Sequence, residues 1–135
     1  FDPKESVDLQ GQTGPYIQYS FVRINGLMKR VAKENFVLAK LEGPLNIQKQ
    51  ELDLLKLLHS YPTIIENAGK DYDPSIIANF AYALAKAYHK FWHDCPIFSE
   101  EKTTEKSFRL QLSKMCGKVL ASSMDLLGIQ MPDRM

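Results

Sequence analysis

The sequence lacks several features that mark particular classes of protein. It has only two cysteines, Cys95 and Cys116, and no CxxC pair, which argues against a disulfide framework or a zinc ribbon and fits a reducing compartment. No apolar run approaches the roughly 18 residues that a membrane span needs, and no signal-peptide pattern begins the chain. The formal net charge is only +1, so a broad basic surface for duplex DNA is not expected. We therefore expect a cytoplasmic protein with no membrane or DNA partner.

Sequence signatures of catalysis are also missing. There is no glycine-rich phosphate loop, no nucleophile elbow and no pair of catalytic carboxylates. His89 and His93 lie one helical turn apart, but the HExxH glutamate is absent and the other metal ligands would have to come from the helix end. We therefore expect no catalytic residue, metal or cofactor in this chain.

The hydrophobic pattern predicts an all-α bundle of four main helices plus a short one. At 135 residues and 44% hydrophobic content, the chain is long enough for one domain with its own core. The predicted helices run from Thr13 to about Asn35, from about Ile47 to His59, from Pro62 to near Gly69, from Asp73 to about Asp94, and from the 99–103 loop to Leu127, with Gly128 as a Schellman-type stop. Residues 1–12 have no sustained period, which predicts a linker or the tail of an upstream domain before a helical domain at 13–135.

The first long helix has two different faces. At 100° per residue, an apolar stripe contains Ile17, Phe21, Ile24, Met28 and Val31, and a second stripe contains Tyr16, Tyr19, Arg23 and Arg30. Phenol rings and guanidinium groups on one surface are typical of sites that stack bases and hold phosphates of single-stranded RNA. Two alternatives stay open: rings at the core edge with solvated arginines, or a surface that docks a partner protein. Lys86, opposite the apolar stripe of its own helix, is expected to take no part in binding.

Segments at the start, middle and end of the chain resemble the arginyl-tRNA synthetase family. The matching segments are Phe1–Ser6 with Asp8–Tyr19, Asn79–Ala85 with Phe91–Pro96, and Asp125–Ile129 with Pro132–Met135. They occur in the family's order, so the resemblance covers essentially the whole chain. It implies the helical, DALR-type anticodon-binding domain of a class Ia synthetase of bacterial type, with 1–12 as the end of the catalytic domain. Because the chain begins at Phe1, we expect it to be an excised fragment.

The resemblance also implies partners, chemistry and site residues. The partners would be the anticodon loop of a tRNA and the upstream catalytic domain of the same chain, in a monomer. Neither a HIGH-like nor a KMSKS-like motif occurs, so the ATP-dependent ligation of arginine, with ATP and Mg²⁺, would belong to the rest of the parent enzyme.

The residues implied for the anticodon site are few. Tyr19 and Arg23 match positions that line the pocket for the middle anticodon base, which the resemblance implies is a cytosine, beside Tyr16 on the same stripe. Trp92 stands where the family usually has a tyrosine, so a stacking face is kept and a hydroxyl is lost. Met135 matches a terminal methionine that closes the pocket. A further departure is Ser20–Val22, where the family often has Ala-His-Ala or Ala-His-Ser.

Overall fold

A computed structural model describes residues 2–6, 8 and 11–135 of the chain. Its helices are α1 (Pro3–Ser6), α2 (Gly14–Lys33), α3 (Lys49–Asp71), α4 (Ser75–Asp94) and α5 (Thr103–Leu126). The predicted all-α fold with four long helices is confirmed, and no strand occurs among the described residues. Positions 1, 7, 9 and 10 of the predicted 1–12 linker lie outside the described residues.

Two of the predicted helix ends are confirmed at atomic detail. Thr13 caps α2, since its Oγ1 accepts a hydrogen bond from Tyr16 N at 3.3 Å, and Pro15 occupies the first turn. At the end of α5, Gly128 has φ +74° and Ile129 N donates to Met124 O at 2.9 Å, as in a Schellman motif. Local sequence therefore determines where these two helices begin and end.

The predicted break at Pro62 is wrong, because α3 continues through this residue from Lys49 to Asp71. A proline inside a helix costs about 3 kcal/mol, and packing beside it offsets this cost. Tyr61 stacks on Phe80 with 5.3 Å between ring centroids, and its Oη donates to Ser122 Oγ at 2.9 Å. The separate short helix expected at 62–69 does not form; the short helix is α1, in a stretch without a helical period.

Helices α2 and α4 run parallel and keep a constant register along their contact. Tyr16 packs on Tyr82 with 5.4 Å between ring centroids, and Arg23 contacts His89, again 66 residues further along the chain. Helix α3 runs antiparallel to α4, because Gln50 near its start bonds Asp94 at the end of α4. The parallel seam between α2 and α4 brings together side chains far apart in sequence.

The core lies around α4 and α5, each of which packs against both other long helices. Its fully buried large side chains include Leu54, Leu84, Tyr88, Phe91, Leu110, Leu120 and Met124. Both cysteines are free and buried, and burial raises the pKa of the Cys116 thiol to about 12. Cys116 therefore stays a neutral thiol and acts as a small apolar side chain. None of the described helices has the length and hydropathy of a membrane span.

Candidate nucleic-acid interface

Four side chains at the α2–α4 seam form a contact cluster that we call the Arg23 cluster: Tyr19, Arg23, His89 and Trp92. Arg23 Nη2 donates to Tyr19 Oη at 3.0 Å, and Nη1 lies 3.0 Å from His89 Nδ1. Its Cζ lies 4.9 Å from the ring centroid of Tyr19 and 5.6 Å from that of Trp92. Among the described residues no carboxylate forms an ion pair with Arg23. Its charge is thus held in place by rings while remaining available to an anion.

A small cleft opens beside Trp92. It has a volume of about 280 Å³ and is lined by Trp92 and the loop residues Pro96–Ser99. The ring of buried Tyr88 packs against Trp92, with 6.3 Å between centroids, and burial raises the pKa of this phenol, which stays neutral. Sites for drug-sized ligands measure roughly 300–1,000 Å³, so this cleft suits one planar group such as a single base.

A buried ion-pair network fixes the loop that forms the other wall of this cleft. Arg109 is 7% exposed, and its Nε donates to Glu51 Oε1 at 2.6 Å. Its Nη1 donates to Pro96 O at 2.9 Å and to Glu100 Oε2 at 3.0 Å. Burial alone would lower the pKa of Arg109, but the hydrogen bond and charge of Glu51, helped by Glu100, raise it. The loop after Trp92 is therefore tied to α3 and α5.

Tyr16 lies in a second, larger groove, which we call the Tyr16 groove. It has a volume of about 500 Å³ and is lined by Tyr16, Gln50, Asp53, Lys86, His89 and Lys90, with two alanines. The ring of Tyr16 is half-buried against Tyr82, and burial, followed by the Tyr82 phenol, raises its pKa. Because His89 lines this groove and also contacts Arg23, the groove adjoins the Arg23 cluster. Lys86, expected to lie outside any interface, forms part of its wall.

Arg30 extends the same strip beyond the Trp92 cleft. Its Cζ lies 3.6 Å from the ring centroid of Phe98, a residue of the cleft wall, and its Nε pairs with Glu34 at 2.7 Å. The predicted stripe of Tyr16, Tyr19, Arg23 and Arg30 therefore faces a row of α4 and loop side chains along one seam.

The structure does not bring Met135 into this cluster. Its side chain is 59% exposed, and the contacts that fix the tail come earlier: Gln18 Nε2 donates to Gln130 O at 3.0 Å, and Met131 packs on the core. The role of Met135 in closing a base pocket stays a prediction.

Sequence reasoning missed His89 as a partner of Arg23 and the 96–99 loop as a cleft wall. His89 was weighed only as a metal ligand, and in the described part of the chain no three His, Cys, Asp or Glu side chains group around a cation site. The missing information is the register of α2 against α4, which depends on packing and not on the pattern of either helix. One signal was present: His89 and Trp92 are three residues apart and so share a helix face.

Aromatic rings beside a cationic side chain and a base-sized cleft are features of sites that bind single-stranded nucleic acid. Comparisons with known proteins identify the family to which this helical domain belongs. The model of the DALR anticodon binding domain family matches residues 17–135, and the chain belongs to that family. The family resemblance noted from the sequence is thereby confirmed.

Two similar proteins are both named arginine–tRNA ligase. The chain is 43% identical over 136 residues to arginine–tRNA ligase of Phocaeicola vulgatus, covering 100% of this chain and 22% of the relative. It is also 43% identical over 137 residues to the Parabacteroides distasonis enzyme, again over 100% of this chain and 23% of the relative. The chain thus spans less than a quarter of the length of these relatives.

Solved structures support the fold. Thermus thermophilus arginyl-tRNA synthetase superposes with a TM-score of 0.84 at 22% identity, over 100% of this chain and 23% of that one. Arginyl-tRNA synthetase from Plasmodium falciparum superposes with a TM-score of 0.78, also at 22% identity and with the same coverage. The arrangement of four long helices is therefore common to sequences that have diverged widely.

Proposed function

We propose that this chain binds the anticodon loop of a tRNA as the C-terminal, anticodon-recognising domain of an arginine–tRNA ligase. Membership of the anticodon-binding family and the names of the similar enzymes support this function. The structural observation that carries it is the Arg23 cluster, in which a guanidinium that pairs with no carboxylate of the described residues lies against the rings of Tyr19 and Trp92. Tyr16, in the adjoining groove, and Met135, which would have to move towards the cluster on binding, are proposed as further contacts.

The cluster suggests how one base would be held. The middle base, a cytosine by the family resemblance, would leave the loop stack and enter the cleft at Trp92, where a ring provides a stacking face. Each stacked base contributes on the order of 1–3 kcal/mol. Arg23 would donate its remaining N–H groups to the base edge or the adjacent phosphate. Since Tyr19 and His89 already orient the guanidinium, less side-chain entropy is lost on binding.

Ligation itself is assigned to the remainder of the parent enzyme. In this proposal ATP, Mg²⁺ and arginine bind upstream, the working state is a cytoplasmic monomer, and the present chain positions the tRNA. The purified 135-residue chain should show no arginine-dependent ATP–pyrophosphate exchange above a blank. Clear exchange would contradict the assignment of ligation to the rest of the parent enzyme.

A titration of the chain with anticodon stem-loop RNAs tests the binding proposal. Four RNAs that differ only in the middle base are added while Trp92 fluorescence is followed, and the cytosine form should bind most tightly. Tyr19→Leu should weaken that binding by roughly 5- to 150-fold, the equivalent of a stacked ring.

A matched aromatic control is available at Tyr72. This tyrosine is 92% exposed and lies near the start of α4, about 25 Å from Trp92 along the helix axis. Its φ is +52°, which asparagine tolerates, so Tyr72→Asn should leave RNA binding unchanged. Equal affinity for all four middle bases, or a stable protein complex formed without RNA through the same residues, would contradict the proposal.

A further inference from the structure

The Tyr16 groove has the composition of a second nucleotide site. It combines a half-buried aromatic ring from α2, a carboxylate and an amide from α3, and two lysines and a histidine from α4. We infer that this groove binds a nucleotide that flanks the middle base of the anticodon loop, with its base on Tyr16 and its phosphate on Lys86 and Lys90. The inference rests on the proposed function and names a further part of the same RNA.

The charges of the groove favour an anion near its α4 wall. Lys86 and Lys90 are one helical turn apart, so their amines lie on the same face. Both side chains are exposed, and neither forms an ion pair with a described residue. The Arg23 guanidinium, whose charge lowers the pKa of Tyr16 slightly against the effect of burial, adds a third positive charge nearby. A phosphate diester would complement this wall.

The opposite wall suits the edge of a base. Asp53 on α3 contributes a carboxylate that can accept from an exocyclic amine, and the ring of Tyr16 offers a stacking face. The amide of Gln50 is already committed, since its Nε2 donates to Asp94 Oδ2 at 2.9 Å. A nucleotide whose base is cytosine, adenine or guanine carries both groups. Its phosphate would face the lysines of α4, and its exocyclic amine would face Asp53 on α3.

Size and position agree with an occupant next to the middle base. The groove volume of about 500 Å³ lies within the roughly 300–1,000 Å³ typical of ligand sites, and is larger than the cleft beside Trp92. Tyr16 precedes Arg23 by seven residues, which corresponds to about 10 Å along α2. His89 belongs to both sites, so one RNA strand can run from one to the other over a continuous surface.

The test uses the 135-residue chain, the cytosine stem-loop and versions of that RNA lacking a base on either side of the middle position. Lys86→Ala/Lys90→Ala should lower affinity at every middle base alike, and it should flatten the slope of log K against log salt by about 0.7 per lost phosphate contact. Tyr16→Leu should lower affinity by roughly 5- to 150-fold. That loss should vanish with the RNA whose flanking base is already missing.

Lys29→Ala/Lys33→Ala is the matched control, because both lysines are exposed on α2, do not line the groove and together remove the same charge. Circular dichroism of Tyr16→Leu checks that the helices persist, and the lysine variants keep the test valid if that variant unfolds.

The outcomes separate the two proposals. Suppose that the lysine and Tyr16 variants both keep wild-type affinity and still discriminate the middle base. This result would overturn the second site and leave the Arg23 cluster in place. An equal loss in the Lys29→Ala/Lys33→Ala control would show diffuse electrostatics and also overturn the second site. If the wild-type chain bound no stem-loop at all, the proposed function and this inference would fall together.

Discussion

Two arginines help to form the region around the Trp92 cleft, Arg23 beside the Trp92 ring and Arg109 under the loop that walls the cleft, and their surroundings differ. Arg109 is 7% exposed, and donates to Glu51, Glu100 and a backbone carbonyl. Arg23 is half-buried, bonds a phenol and an imidazole, and pairs with no carboxylate among the described residues. The same guanidinium group is thus saturated in one place and available in the other.

The difference separates a structural cation from a binding one. Taking a guanidinium out of water is costly, and partners such as the carboxylates around Arg109 repay that cost within the fold. For Arg23 the neighbouring rings restrict the side chain without neutralising it, so we expect a bound anion to supply the counter-charge. Substitution at Arg109 should therefore affect folding first, and substitution at Arg23 should affect binding alone.

The largest effect is expected for Arg109→Met, which leaves Glu51 buried, at 1% exposure, without its cation. Breaking a buried pair in this way costs about 3–5 kcal/mol, a large share of the stability of a small domain. Urea unfolding followed by circular dichroism measures the loss. The double variant Arg109→Met/Glu51→Met should recover part of it, since it removes the buried carboxylate together with the cation. Recovery stays partial because Glu100 loses its cation and Gln48 N loses its Glu51 acceptor. A single variant as stable as the wild type would show that the network does not support the fold.

Arg23→Ala should weaken stem-loop binding by about 1.5–3 kcal/mol, the contribution of hydrogen bonds to a charged group. Its free energy of unfolding should stay within about 0.5 kcal/mol of the wild type, as for other surface substitutions. Titration at several salt concentrations should also give a flatter slope than for the wild type. Lys29→Ala on the same helix is the charge-matched control. Similar losses in both variants would mean that Arg23 has no specific role.

Two glycines compare the packed side of α2 with its open side. Gly117 on α5 faces Ile24 of α2, and Gly26 lies on the open side of α2. A Cβ at Gly117 would lie 2.9 Å from Ile24 Cγ2, next to Arg23 in sequence, whereas nothing lies within 4 Å of a Cβ at Gly26. Overpacking costs about 1–3 kcal/mol and alanine regains about 1 kcal/mol of helix propensity. Gly117→Ala should therefore lower stability by about 1 kcal/mol, and Gly26→Ala should raise it by a similar amount. Stabilisation in both would show that α2 can shift on α5.

Local features of this molecule follow from the sequence, and relations between helices do not. Thr13 and Gly128 mark helix ends because a hydroxyl cap and a left-handed glycine act within one turn. The continuation of α3 through Pro62 does not follow from the sequence, because the stacking of Tyr61 on Phe80 is a contact between helices. Likewise the stripe containing Tyr19 and Arg23 was visible in the periodicity, while its partner His89 depended on the α2–α4 register.

The smallest expected effect concerns the end of the tail. Met135→Ala should lower affinity for the cytosine stem-loop by about 1 kcal/mol. Met135 is 59% exposed and would bury part of its apolar surface against a base. Full burial of a methionine contributes about 1.5–3 kcal/mol, so partial burial contributes less. The melting temperature should not change, since the ordered contacts of the tail involve Gln130 and Met131. Met115→Ala, at a methionine 49% exposed on α5, is the matched control. Equal affinity of the Met135 and Met115 variants would show that the tail is only a chain end, and a shared fall in melting temperature would make both side chains structural.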